Sequence, residues 1–173
     1  MNELVLQKKV CLVGAFSVGK TSLIQRYVHS LFSEKYQTTV GVKIDKKIVV
    51  VDDTQLNLML WDVAGEDDFT QIRPAHLRGL AGYIVVIDGT RPNSFDVALD
   101  IHLRIQRDYG IFSTVFVLNK SDLQDQWRLT PEHLHRLINL GFPVVQASAL
   151  SGEGVENIFT NLARQLVTAH IGA

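Results

Sequence analysis

A single cysteine, Cys11, is the chain's whole complement, which excludes an intramolecular disulfide and leaves no CxxC or Cys/His cluster for zinc. That points to a reducing, intracellular setting. No window approaches the ~18 uninterrupted apolar residues of a membrane span, and the opening MNELVLQKK lacks the apolar stretch of a signal peptide. There is no excess of either charge: 17 Lys plus Arg stand against 18 Asp plus Glu, a net charge of −1. Such a balance carries no global field for nucleic acid or an anionic membrane. Prolines number four, and no repeat, low-complexity tract or interdomain linker is visible. What is present is 173 residues, 46% of them hydrophobic, enough to bury one core without staples. Composition predicts a cytoplasmic single domain and is silent on chemistry.

Apolar residues come as short β-branched runs separated by longer amphipathic stretches. Residues 10–13, 83–87, 114–118 and 143–146 are near-continuously apolar, as in strands of a parallel sheet covered on both faces by helices. Val40, Val42 and Ile44 instead alternate with Gly41, Lys43 and Asp45, the pattern of a half-exposed edge strand. That strand continues through 48–51, turns at Asp52-Asp53-Thr54 and returns through Leu56, Leu58 and Leu60, predicting an antiparallel hairpin in an otherwise parallel chain. Helical segments fall between the strands. One spans 21–30; a second carries Phe95, Ala98, Leu99, Ile101, His102 and Ile105 on a stripe closed by Asp108-Tyr109-Gly110. A third opens at Thr130-Pro131-Glu132, with Thr130 as N-cap and Leu134, Leu137 and Ile138 facing inward. The last starts near Gly154 and sets Val155, Ile158, Phe159, Leu162 and Leu166 on one side. This alternation predicts one α/β domain over 1–173, with its core at 8–168. It has three layers, a six-stranded, mostly parallel sheet with one antiparallel edge strand, and about five helices.

Three motifs carry chemistry. Gly14-Ala15-Phe16-Ser17-Val18-Gly19-Lys20-Thr21 matches GxxxxGK[ST] between a predicted strand and helix, the context in which backbone N–H groups and a helix N-terminus wrap a phosphate. Lys20 would reach β- and γ-oxygens, and the Thr21 hydroxyl would reach Mg²⁺. Asn119-Lys120-Ser121-Asp122 follows the strand at 114–118, at the strand end where ligands sit in open α/β sheets. A carboxylate there can accept from N1–H and the 2-amino group of guanine, whereas adenine lacks that donor pair and leaves the carboxylate unmatched. Trp61-Asp62-Val63-Ala64-Gly65 closes the hairpin. Asp62 suits a role at Mg²⁺, directly or through water, and Gly65 can offer its N–H to a γ-phosphate without obstruction.

With these motifs in this order, the chain resembles the Ras superfamily of small GTPases, Rab-like members in particular, over roughly residues 8–168. Tyr36-Gln37-Thr38-Thr39-Val40-Gly41-Val42 looks like a Rab-type first switch, and Ser148-Ala149-Leu150 like the last base-contacting loop. The resemblance implies a P-loop NTPase fold that binds GTP or GDP with Mg²⁺. It implies nucleotide contacts from Gly14, Phe16, Ser17, Val18, Gly19, Lys20, Thr21, Ser22, Phe32, Tyr36, Thr39, Gly65, Asn119, Lys120, Asp122, Ser148, Ala149 and Leu150. Phe32 would pack on the guanine face, Ala149 would offer its N–H to the base, and Ser148 would support that loop. The implied metal set is Thr21 and Thr39, with Asp62 through water; the implied catalytic set is Lys20, Thr39, Gly65 and Glu66. Protein effectors and regulators would meet switch regions at about 32–43 and 62–78.

Three departures from the family pattern stand out. Glu66 follows Gly65 where the family usually places the glutamine that orients attacking water; a carboxylate cannot donate there and adds repulsion near a γ-phosphate. Phe16 stands where a small residue is usual and would crowd that glutamine or an incoming arginine finger. Both predict slow hydrolysis; the rival expectation is a nucleotide-binding scaffold with little turnover. A P-loop ATPase or kinase accounts for the first motif alone. The chain ends Ala169-His170-Ile171-Gly172-Ala173, with neither cysteine nor basic run. The expectation is therefore no direct lipid anchor in this chain and any membrane recruitment through a partner. Of the weaker candidates, His133 and His135 lie two apart on a helix and face apart, so they make no metal pair. Trp127 is open to two readings, a partner contact or a packing lid. Cys11 reads as a small buried apolar residue.

Overall fold

The computed structural model describes residues 4–29, 42–63 and 74–172. The chain order is β1 (Val5–Gly14), α1 (Lys20–His29), β2 (Val42–Val51), β3 (Thr54–Val63), α2 (Pro74–Leu77), β4 (Leu80–Asp88), α3 (Pro92–Tyr109), β5 (Ser113–Asn119), α4 (Pro131–Ile138), β6 (Val144–Gln146) and α5 (Val155–Ile171). The strands form one sheet in the order β2-β3-β1-β4-β5-β6. Only β2 against β3 is antiparallel; every other pair is parallel. The predicted α/β architecture, with its antiparallel edge strand and five helices, is the observed one.

The buried runs explain this order. Val10, Cys11 and Leu12 of β1, 83–87 of β4 and Val115, Phe116 and Val117 of β5 have almost no exposure, because these strands lie inside the sheet with helices on both faces. Side chains alternate along a strand, and β4 shows the two layers directly. At Tyr83 the hydroxyl meets His102 of α3 at 2.7 Å, while the neighbouring Gly82 faces Leu162 of α5. On the α5 side, Tyr27 of α1 and Phe159 stack with ring centroids 3.8 Å apart. The hairpin turn is shorter than expected. Only Asp52 and Asp53 bridge the strands, at φ 47° and 62°, the positive pair a two-residue turn needs to match strand twist.

Element lengths depart from the sequence pattern mainly where backbone pairing outruns burial. β1 begins at Val5 rather than Val10, because Val5–Lys9 pair with β3 residues 55–59 although only Leu6 among them is buried. α3 runs from Pro92, one turn before the first apolar residue of its stripe, since Pro suits the first helical turn. At α4 the Thr130 N–H donates to the His133 ring at 3.0 Å, so a histidine takes the part a Glu or Gln usually plays in the cap.

Candidate functional site

The C-terminal ends of β1, β3, β4 and β5 converge on one edge, and the loops leaving them build the site. After β1 the chain wraps through 14–19 into α1. The first helical bond runs from the Leu23 N–H to the Gly19 carbonyl at 2.9 Å, so the N–H groups of Lys20, Thr21 and Ser22 lack intrahelical partners and open toward the loop. Lys20 folds back across it, donating to the carbonyls of Gly14 at 3.2 Å and Ala15 at 2.9 Å. Burial lowers its ammonium to about 8; the nearby Asp62 carboxylate opposes that and the Arg91 charge adds to it. An arriving polyphosphate would add to the counter-charge that Asp62 supplies.

Thr21 and Asp62 meet beside it. The Thr21 hydroxyl donates to Asp62 Oδ2 at 2.5 Å. Asp62 is 1% exposed, and its Oδ1 is buried with no hydrogen-bond partner among the described residues. Burial pushes this carboxyl up, while the Thr21 hydroxyl and the Lys20 and Lys43 charges pull it down. A hydroxyl and a carboxylate with an unmatched oxygen are hard donors of the kind Mg²⁺ takes. The donor set fits that ion.

The base side is built from two loops. Asn119 spans them: its Nδ2 donates to the Val18 carbonyl at 2.9 Å, and its Oδ1 accepts from the Ala149 N–H at 3.3 Å. Gly19 is required at this crossing. It holds φ 104°, and a Cβ there would lie 2.3 Å from Asn119 Nδ2. Asn119 is thus 2% exposed and ties the phosphate loop to the base loop. Lys120 donates to the Ser17 carbonyl at 3.2 Å and pairs with Asp88 at 2.8 Å. Asp122 accepts from the Ser148 hydroxyl at 2.7 Å but is otherwise an exposed residue. Ser148 also receives the Ser151 N–H at 3.0 Å, which fixes its hydroxyl.

Phe16 lies at the loop crest with 54% of its surface exposed. Leu150 is 46% exposed, and its carbonyl accepts from Arg26. The Thr39, Gly65 and Glu66 assignments, together with Phe32 and Tyr36, fall outside the described residues. So does most of both switch regions. Arg78 is exposed, and its carbonyl accepts from Lys9 at 2.9 Å, midway along β1 rather than at the phosphate loop. Trp127 is the packing reading: a Cβ on Gly89 would come within 2.0 Å of its ring. Cys11 is fully buried, and burial raises its thiol to about 11.

Three residues that the motifs did not single out belong to this site. Asp88, fully buried, sits level with Asn119 in the sheet register. Burial alone would raise its carboxyl, but Lys120 and the Thr90 hydroxyl and N–H, both bonded to it, hold it below the usual range. Arg91 donates to the Phe16 carbonyl at 2.9 Å. Arg26 of α1 donates to the carbonyls of Ala149, at 2.8 Å, and Leu150. The strand-end position of Asp88 was a signal in the sequence; Arg26 and Arg91 had none, since each acts on backbone remote in the chain.

The model of the Ras family matches residues 9–168. The chain belongs to the Ras family. Among similar proteins of this family, mouse Ras-related protein Rab-7b is 35% identical over 173 residues, covering 95% of this chain and 84% of the relative. Ras-related protein Rab-1 of Theileria annulata is 34% identical, with 91% and 73% covered. RabG2 of Dictyostelium discoideum is 34% identical, with 95% and 84% covered. The chain is thus a Rab-like small GTPase, a GTP-binding hydrolytic switch. Members of this family bind GTP and GDP with Mg²⁺, which accords with the Thr21–Asp62 donor set. Among the described residues, no helix of this Ras-family chain is long and apolar enough to cross a membrane.

Proposed function

We propose that this chain is a guanine-nucleotide switch with slow intrinsic hydrolysis. The observation that carries the nucleotide part is the joining of two loops by one side chain: Asn119 bonds the Val18 carbonyl and the Ala149 N–H together. A phosphate cradle and a base cradle held at fixed separation suit a nucleotide rather than a free phosphate. Lys20 and the first-turn N–H groups of α1 would bind β- and γ-oxygens. Asp122, oriented by Ser148, would accept from guanine, and the Ala149 N–H would turn to the base. A divalent ion held by Thr21 and Thr39, with Asp62 through water, would neutralise charge on the β- and γ-oxygens.

In the GTP state, Thr39 and Gly65 would tie the segments at about 32–43 and 62–78 to the γ-phosphate, and release on hydrolysis would change the surface offered to effectors and regulators. Slow turnover follows from chemistry at two positions. Glu66 carries no amide hydrogen to donate to developing charge. Phe16 places a benzyl group at the loop crest, where its exposure leaves it in the way of an approaching arginine.

The test has two stages. Nucleotide released from purified protein is identified first, then single-turnover GTP hydrolysis is followed for the wild type and for Glu66→Gln. Guanine nucleotide with a slow wild-type rate that rises in Glu66→Gln is the expected result. A wild-type rate equal to that of glutamine-bearing small GTPases would overturn slow turnover. Bound nucleotide with no hydrolysis in either protein would favour the scaffold reading.

A further inference from the structure

Two ends of the phosphate loop can be told apart by what bonds its carbonyls. Lys20, the lysine of the β- and γ-oxygens, donates to Gly14 and Ala15. Lys120 and Asn119, of the base loop, donate to Ser17 and Val18. The stretch 14–16 is therefore the terminal-phosphate end and 17–18 the base end. Arg91 donates through Nη1 to the carbonyl of Phe16 at 2.9 Å, which puts a guanidinium on the terminal-phosphate end.

Arg91 is held there from several directions. Its backbone N–H donates to the Asp88 carbonyl at 3.0 Å, and its own carbonyl accepts from the Ser94 N–H at 2.9 Å and hydroxyl at 2.7 Å. Pro92 opens α3 immediately after it. Its guanidinium lies 3.9 Å from buried Asp88. A guanidinium has five N–H donors in a rigid fork, so the bond to Phe16 leaves capacity for an anion. Its charge is felt at Lys20, where it works with burial against the ammonium. The Arg91 and Lys20 charges oppose each other, the carboxylates of Asp62 and Asp88 offset part of that repulsion, and an added anion relieves more of it the more negative it is.

We propose that Arg91 is a specificity-determining residue that favours the nucleoside triphosphate over the diphosphate. The assignment rests on the guanine-nucleotide reading above. It makes the β4–α3 junction a cationic contributor from within the chain, independent of the two switch segments. With the Arg91 side chain 41% exposed, solvent screens part of its charge, so the expected effect is modest.

The experiment measures dissociation constants for a fluorescent GDP and a fluorescent non-hydrolysable GTP analogue, with Mg²⁺, for wild type, Arg91→Gln and Arg91→Lys. Arg91→Gln is expected to weaken the triphosphate analogue roughly fivefold and GDP less than about twofold. Arg91→Lys, which keeps the charge, is expected to hold the wild-type ratio within about twofold. Equal losses for both nucleotides would make Arg91 a brace of the loop and overturn the proposal, as would no loss for either. A wild-type protein that binds neither nucleotide would overturn the guanine reading itself, and this assignment with it.

Discussion

The Lys120 ammonium donates to the carbonyl of Ser17 at 3.2 Å, and both residues hold positive φ, 68° and 61°. Non-glycine residues in that region carry strain of order 1–3 kcal/mol, sustained only where neighbouring contacts over-determine them. Here the contacts are visible: Asp88 anchors the ammonium, and Asn119 anchors the loop one residue further on. These contacts hold the phosphate loop and the base loop together.

Removing the Lys120 ammonium should therefore loosen the phosphate loop and strip buried Asp88 of its close cation, leaving it the two Thr90 bonds and the Arg91 charge at 3.9 Å. Lys120→Met is expected to speed nucleotide dissociation by about tenfold or more and to lower stability by about 3 kcal/mol. Adding Asp88→Asn removes the stranded charge. The double variant should regain most of the stability in thermal unfolding but not the slow dissociation, which separates folding from nucleotide retention.

Gly19→Ala would place a Cβ 2.3 Å from Asn119 Nδ2 at a φ of 104°. Asn119 must shift, breaking its bond to the Val18 carbonyl. Loss of nucleotide affinity by about tenfold or more is expected, read by titration of a fluorescent guanine nucleotide. Retained affinity would show that the loops are not joined through Asn119.

Asp122→Asn should shift preference from guanine toward xanthine, whose ring presents a carbonyl in place of the 2-amino donor. Ser148→Ala removes the hydroxyl that orients Asp122 and receives the Ser151 N–H, so guanine binding should weaken by about 1 kcal/mol with base preference retained. Competition among GTP, XTP and ATP checks both.

His102 predicts acid sensitivity away from the site. It is fully buried, its Nδ1 2.7 Å from the Tyr83 hydroxyl, with the rings of Phe116 and Phe142 packed edge-on at 4.9 and 5.5 Å. Burial lowers its pKa from 6.5 to about 4. The unfolded chain then binds the extra proton first. The stability contribution is complete above pH 6.5 and is lost as pH falls toward 4, with a slope of at most about 1.4 kcal/mol per pH unit. Urea unfolding across that range should show the slope in the wild type. It should be flatter in Tyr83→Phe/His102→Leu, which removes both polar partners.

Much of this was legible before any coordinates. GxxxxGKT between a strand and a helix, and NKSD after an apolar run, mark loops whose function depends on local backbone and a few side chains, so their chemistry is written in contiguous residues. Strand positions were legible for the same reason, because burial on both faces leaves an unbroken apolar run. Where pairing proceeds with little burial, as along Val5–Lys9 with Leu6 alone buried, the pattern is too short to read. Asp122 shows the opposite limit: its identity was readable, but its exposure was not.

From the sequence alone came the α/β class, the antiparallel hairpin, the GxxxxGKT loop and the NKSD motif, since periodicity and contiguous motifs are local properties of a chain. Tertiary structure decided which distant groups brace those loops. Arg91 bonds Phe16, 75 positions away, and Arg26 bonds Ala149, 123 away. These are side-chain bonds to backbone carbonyls. A carbonyl is present at every residue and so leaves no mark in composition or pattern; only the folded sheet, bringing β1, β4 and β5 to one edge, selects the carbonyl each arginine meets.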